Sequence, residues 1–256
     1  MLFAPLSLEY LLAAGIVLLF GMGWHEYAHA VVADWWGDPT PRQLGRLTPN
    51  PLVHISWIGW LMFLVLGFGI LGSVPINAAR MRDPRWGSFW TSAAGPISNL
   101  IQALFFGVVG FIVFNVFGFE TNPSDFFSRF ISTFIWAGVY LNVLLIFFNL
   151  LPFVIPAGIF SPSPIAFDGW HMIYALLPGA WLNYRTLPAV LREELRPLGQ
   201  FIAHPADKWR DWMNILGYIT LAIFLLSFIP NNPLDPVGFL IGRPTGFVTQ
   251  MILSFF

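Results

Sequence analysis

Apolar residues gather in long blocks along this chain, with polar residues collected between the blocks rather than alternating through them. The blocks cover residues 11–33, 55–75, 88–118, 126–151, 212–230 and 237–256. Crossing a bilayer as a helix takes about 20 predominantly apolar residues. The pattern therefore predicts an all-α polytopic membrane protein with about five to six transmembrane helices. Two segments break it. Residues 152–167, "PFVIPAGIFSPSPIAF", contain Pro152, Pro156, Pro162 and Pro164, which a regular helix does not tolerate. The block 55–75 carries Gly59, Gly67, Gly69 and Gly72 and ends in Pro75. After the proline-rich stretch, "DGWHMIYALLP" reads as a short helix, and residues 180–211 as an amphipathic link.

Charge orders these blocks. The link 34–54 holds Arg42 and Arg46, the link 79–86 holds Arg80, Arg82 and Arg85, and 180–211 holds Arg185, Arg192, Arg196, Lys208 and Arg210. An excess of Lys and Arg marks cytoplasmic loops, which places all three links on one side. That arrangement requires 55–75 to enter and leave on the same face, as a re-entrant or β-containing element after the first helix. An ordinary tilted helix is the alternative.

Composition agrees with a membrane setting: 57% of residues are hydrophobic and only 10% charged, against about a quarter in soluble domains. The whole of 1–256 reads as one transmembrane domain. A net charge of −1 without a basic run excludes nucleic acid as a partner. With no cysteine, disulfide and thiolate chemistry are also excluded. The first arginine is Arg42, so the first apolar block lacks a signal peptide's basic start and is expected to stay as a helix.

Against this apolar background stands "GMGWHEYAHAVVAD", residues 21–34. Positions four apart share a helix face, so His25 and His29 can offer two nitrogens to one ion. Glu26, about 100° further round the axis, can reach a water held by that ion without ligating the ion itself. A zinc ion with three protein ligands keeps a position for water and makes it acidic, and a carboxylate beside it is then a general base. Two buried imidazoles and a carboxylate paired only with each other would be costly at membrane depth, where ionisable groups mark function. One Zn²⁺ per chain is the expected cofactor.

A third ligand is required. Asp168, at the start of the short helix after the proline-rich stretch, is the first candidate, because its charge holds a cation that two neutral imidazoles bind weakly. His171, three residues on, and His54, at the edge of the second block, are the rivals.

These residues together resemble the site-2 protease family of intramembrane zinc metalloproteases, in particular short prokaryotic members without appended domains. The resemblance runs from about residue 15 to 178. It rests on "HEYAHAVVADWWGDPTPRQLGRLTPNPLVHI", "VPINAARMRDPRWGSFWTSAAGPISNL", "FNLLP" and "DGWHMIYALLP". It implies a catalytic core over about 8–178, followed by an amphipathic linker and helices over 179–256. It further implies His25, His29 and Asp168 as zinc ligands, Glu26 as general base, and Asn149 beside the scissile peptide, where an amide can orient a carbonyl. Asn149 read by itself is equally a polar cap before Pro152. Two departures stand out. Relatives place the aspartate about eight residues after the asparagine, whereas nineteen separate Asn149 from Asp168 here; and Ser56 stands where relatives often carry Asp.

The implied activity is hydrolysis of a peptide bond within or near a transmembrane segment, with a membrane protein as substrate and the lipid bilayer as surroundings. A substrate helix hides its peptide bonds until it unwinds, and residues 70–80, "ILGSVPINAAR", offer an edge on which an unwound strand can add. His29 lies five residues before Asp34, under about 10 Å from the end of the span, which sets the centre nearer the cytoplasmic face of a prokaryotic cytoplasmic membrane. A metal carrier with a midplane site is the reading from another class, and an inactive protease-like scaffold is the third. Neither accounts for Glu26 beside three ligands.

Overall fold

The computed structural model describes residues 7–57, 59–61, 72–120, 124–155, 165–176, 205–227 and 235–255. The interior of the second apolar block (62–71), the centre of the proline-rich stretch (156–164) and most of the amphipathic link (177–204) lie outside the described residues. The chain divides into two compact units, Met1–Phe148 with Phe239–Phe256, and Asn149–Gly238.

The first unit is built on three long helices: α1 (Leu8–Trp36), α4 (Pro84–Phe111, continued by a π turn over Ile112–Val116) and α5 (Phe126–Leu150, whose last two residues open the second unit). Each is long and apolar enough to cross a membrane. These three are the candidate spans among the described residues, fewer than the five to six expected from the sequence. Two further helices follow, α7 (Pro205–Leu226) and α8 (Arg243–Phe255), the latter continuing from a π turn over Gly238–Gly242.

Local chemistry sets the helix ends. Ser7 caps α1, its hydroxyl accepting Tyr10 N–H at 3.2 Å, and Gly37 closes it with φ +102°, a conformation open to glycine. Asp83 caps α4, accepting the N–H of Arg85 and of Trp86, with Pro84 at the first helical position. Between α1 and α4 lie two single turns, α2 (Thr40–Gln43) and α3 (Pro51–His54), and a 3₁₀ turn over Ala78–Arg80. Buried Asp38 knits this loop together by accepting Thr40 N–H at 3.0 Å and Asn77 N–H at 2.6 Å.

Small residues bring the helices close. Gly87, Thr91, Gly95, Asn99, Ala103 and Gly107 recur every fourth position along α4, and all are buried. Such a row lets backbones approach, which is how helices associate where solvent supplies no hydrophobic drive. Val17 and Leu18 of α1 pack with Ala137, Leu141 and Leu145 of α5, while Ala103, Val139, Val143 and Ile252 join α4, α5 and α8. The outer faces, including Leu11, Ile16, Phe20, Ile101, Phe105 and Phe127, stay apolar and exposed, as expected of a surface that meets lipid.

Within the second apolar block one observation bears on its path. Ile55 and Gly72 form an isolated antiparallel bridge, so the two ends of the segment meet side by side, as a hairpin-like element requires.

In the second unit, β1 (Val154–Ile155) and β2 (Ile165–Ala166) pair antiparallel, Val154 opposite Ala166 and Ile155 opposite Ile165. Among the described residues, the two-stranded sheet lies in the proline-rich stretch. Phe167 N–H extends the ladder to Phe153 O at 3.0 Å, and Thr220 of α7 donates its hydroxyl to Val154 O at 2.9 Å. The short helix α6 (Asp168–Leu176) follows β2 directly.

Candidate metal centre

The third and fourth turns before the end of α1 carry His25, Glu26 and His29, all buried, with 2%, 6% and 6% of their surfaces exposed. The two imidazoles meet edge to face with ring centroids 4.6 Å apart. Each ring is held from behind. His25 Nδ1 lies 2.6 Å from Asn99 Oδ1, and His29 Nδ1 lies 2.6 Å from the carbonyl oxygen of Thr91. A carbonyl only accepts, so His29 carries its proton on Nδ1 and its lone pair on Nε2. With Asn99 Oδ1 facing His25, the same tautomer follows there. Outer contacts of this kind orient imidazoles for metal binding in general.

The floor of the centre is Gly95. A Cβ at this position would lie 2.5 Å from Cε1 and Nε2 of His25 and 2.6 Å from Cε1 of His29, so any side chain would occupy the space the imidazoles use. Glycine is required here by close approach. The wall beside Glu26 is Gly72, where a Cβ would lie 3.1 Å from Glu26 Cγ and 2.9 Å from the His54 carbonyl oxygen. Gly23, two residues before His25, makes room for Pro51, whose Cβ would be 2.5 Å from an added Cβ.

The rival histidines have other surroundings. His54 is buried and donates from Nε2 to Thr48 O at 2.9 Å, which ties down the turn that leads into α3. His171 is exposed on α6. Ser56 performs the local task an aspartate would, since its hydroxyl accepts Gly59 N–H at 3.2 Å.

Asn149 and Asp168 belong to the second unit. Asn149 lies half-buried in the last turn of α5, and Asp168 opens α6, also half-buried. The nineteen-residue separation is closed by the hairpin. Because β1 and β2 pair, the chain returns at Phe167 to where it left at Phe153, and Gly169 packs so tightly on the Leu150 carbonyl that a Cβ would collide with it. Asp168 therefore stands directly beside the end of α5.

Thr91 and Gly72 were not distinguished by sequence reasoning. Thr91 acts through its backbone carbonyl, which any residue carries. Gly72 acts through the absence of a side chain in a block that holds three other glycines.

The donor set fits zinc: two buried imidazoles presenting Nε2, an adjoining carboxylate and a glycine cradle. A comparison with characterised proteins agrees. The chain is 37% identical over 183 residues, 69% of its length and 74% of the relative's, to a Bacillus subtilis (strain 168) protein named "Putative zinc metalloprotease YwhC". No protein-family model matches the chain, and no solved structure matches it.

Proposed function

Since this chain belongs to the zinc metalloprotease family of its Bacillus relative, we propose that it is an intramembrane zinc endopeptidase of the site-2 type, acting on the transmembrane segment of a membrane-protein substrate. The observation that carries the reading is the position of His25, Glu26 and His29. They are buried in a 29-residue apolar helix, with the lone pairs of both imidazoles set on Nε2.

In this reading His25 Nε2, His29 Nε2 and Asp168 hold one zinc ion. Asp168 is preferred because its carboxylate adds the charge that two neutral imidazoles lack, and because the hairpin sets it beside α5 as a shorter connection would. Zinc held there would supply Lewis acidity, making water acidic enough to lose a proton near neutral pH. Glu26 takes the proton of the attacking water and returns it to the leaving amine nitrogen. Asn149 orients the scissile carbonyl through its amide.

Residues 73–77, of which Ser73, Pro75, Ile76 and Asn77 are exposed, serve as the edge on which an unwound substrate strand adds. The bilayer is then the medium of the reaction, with the centre nearer the cytoplasmic face of a prokaryotic cytoplasmic membrane.

The test is cleavage of a reporter transmembrane helix by the purified protein in liposomes, with zinc content measured on the same sample. The reading expects about one zinc per chain and cleavage that a chelator abolishes and zinc restores. In Asp168→Ala both zinc and cleavage are lost. Tight zinc binding by a wild type that cleaves no membrane-embedded reporter would favour a carrier instead.

A further inference from the structure

We infer that Asn142, on a helix that bears neither histidine, is a positioning residue for the metal centre: through Asn99 it fixes His25 in the tautomer that offers Nε2. The inference rests on the zinc reading above and concerns what holds one of its ligands.

The chain of contacts begins at a backbone carbonyl. Gly138 O, four residues before Asn142 on α5, accepts from Asn142 Nδ2 at 2.8 Å. That bond turns Asn142 Oδ1 towards Asn99, whose Nδ2 donates to it at 2.9 Å. The same Asn99 Nδ2 points to Gly21 O on α1 at 3.3 Å. Asn99 Oδ1 is thereby left for His25 Nδ1, at 2.6 Å.

Each step follows from which groups can donate. An amide presents a donor at one end and an acceptor at the other. Reversing Asn99 would set its oxygen against two acceptors, Gly21 O and Asn142 Oδ1, and its NH₂ against His25 Nδ1. Imidazole would then accept at Nδ1 and carry its proton on Nε2, where a metal cannot bind. Asn99 and Asn142 are fully buried, so water does not stand in for a lost partner. Gly21 keeps the contact compact, since a Cβ there would already lie 3.4 Å from Asn142 Oδ1. The register of α5 against α1 and α4 therefore reaches the metal centre through two side chains. At His29 the Nδ1 partner is the Thr91 backbone carbonyl, whose orientation no side chain sets.

The test reads the ring nitrogens directly. Metal-free protein labelled with ¹⁵N-histidine, at a pH above the imidazole range, is expected to show His25 protonated on Nδ1. In Asn142→Leu the two tautomers are expected to mix, and zinc affinity, measured by chelator competition, to fall about tenfold, as for other outer contacts of a ligand. Asn142→Asp keeps an acceptor facing Asn99 and should retain the wild-type tautomer even if the leucine variant proves too unstable to purify.

In an Asn99→Asp background the carboxylate accepts from His25 in either orientation, so Asn142→Leu should there change zinc affinity by less than about threefold. An unchanged tautomer in Asn142→Leu, or the same loss of affinity in both backgrounds, would show that Asn142 merely packs. A wild type that binds no zinc would instead contradict the metalloprotease reading, and the tautomer of the metal-free protein would still decide the role of Asn142.

Discussion

Gly95 shows how much of the candidate centre depends on a missing atom. Its neighbours His25 and His29 are already held through Nδ1, so their rings cannot swing away from a new methyl group without leaving Asn99 and Thr91. Gly95→Ala is expected to weaken zinc binding at least about tenfold in chelator competition, with the helices still formed by circular dichroism. Wild-type affinity in that variant would mean the rings are not confined as described. The imidazole pair and Glu26 were legible in the sequence because a four-residue spacing on a helix has a chemical meaning of its own. Gly95 and Asn99 lie within the stretch "VPINAARMRDPRWGSFWTSAAGPISNL" that carries the resemblance, but their contacts could not be read from it. The Thr91 carbonyl was invisible, since an acceptor on the backbone leaves no trace in residue identity. Asn142 looked like any polar residue in an apolar block until the partner helices were in place.

At the scale of elements, the hairpin between α5 and α6 accounts for the long separation of Asn149 and Asp168. The sequence showed that four prolines forbid a helix there, but strand pairing between residues ten and twelve positions apart depends on register that composition does not specify. Replacing residues 156–164 by a two-residue Asn-Gly turn joins Ile155 to Ile165 directly. Zinc affinity of that variant is expected to stay within about threefold of wild type, because the strand pair that returns the chain to the end of α5 before Asp168 is kept. Gly169→Val should do the opposite, forcing Asp168 away from the end of α5 and lowering zinc occupancy. The four-residue repeat of small residues on α4 became plain once α1 lay against it. At the other end of the bundle Arg129 Nε donates to Glu9 Oε1 at 2.8 Å and ties the start of α5 to the start of α1. Arg129→Met is expected to lower the thermal midpoint in detergent while leaving zinc affinity unchanged, since the pair stands sixteen residues along α1 from His25.

For the whole molecule, the helical membrane class was legible, and three candidate spans stand among the described residues. Block length alone treats every apolar run as a span, whereas the Ile55 and Gly72 bridge brings the ends of one block together. The absence of cysteine makes topology directly measurable, because a single introduced thiol has no competitor. Cysteines placed at exposed Trp57 and Ser73 should both react with a membrane-impermeant reagent from the same side of sealed vesicles. Labelling from opposite sides would establish 55–75 as a true crossing. The central claim, that a buried carboxylate works beside a metal to cut a buried peptide bond, is tested most directly by Glu26→Gln. Zinc content and cleavage of a transmembrane reporter in liposomes should be measured on one preparation. The account predicts zinc at the wild-type level with cleavage reduced by at least about a hundredfold, the contribution of a general base. Cleavage at the wild-type rate would contradict it.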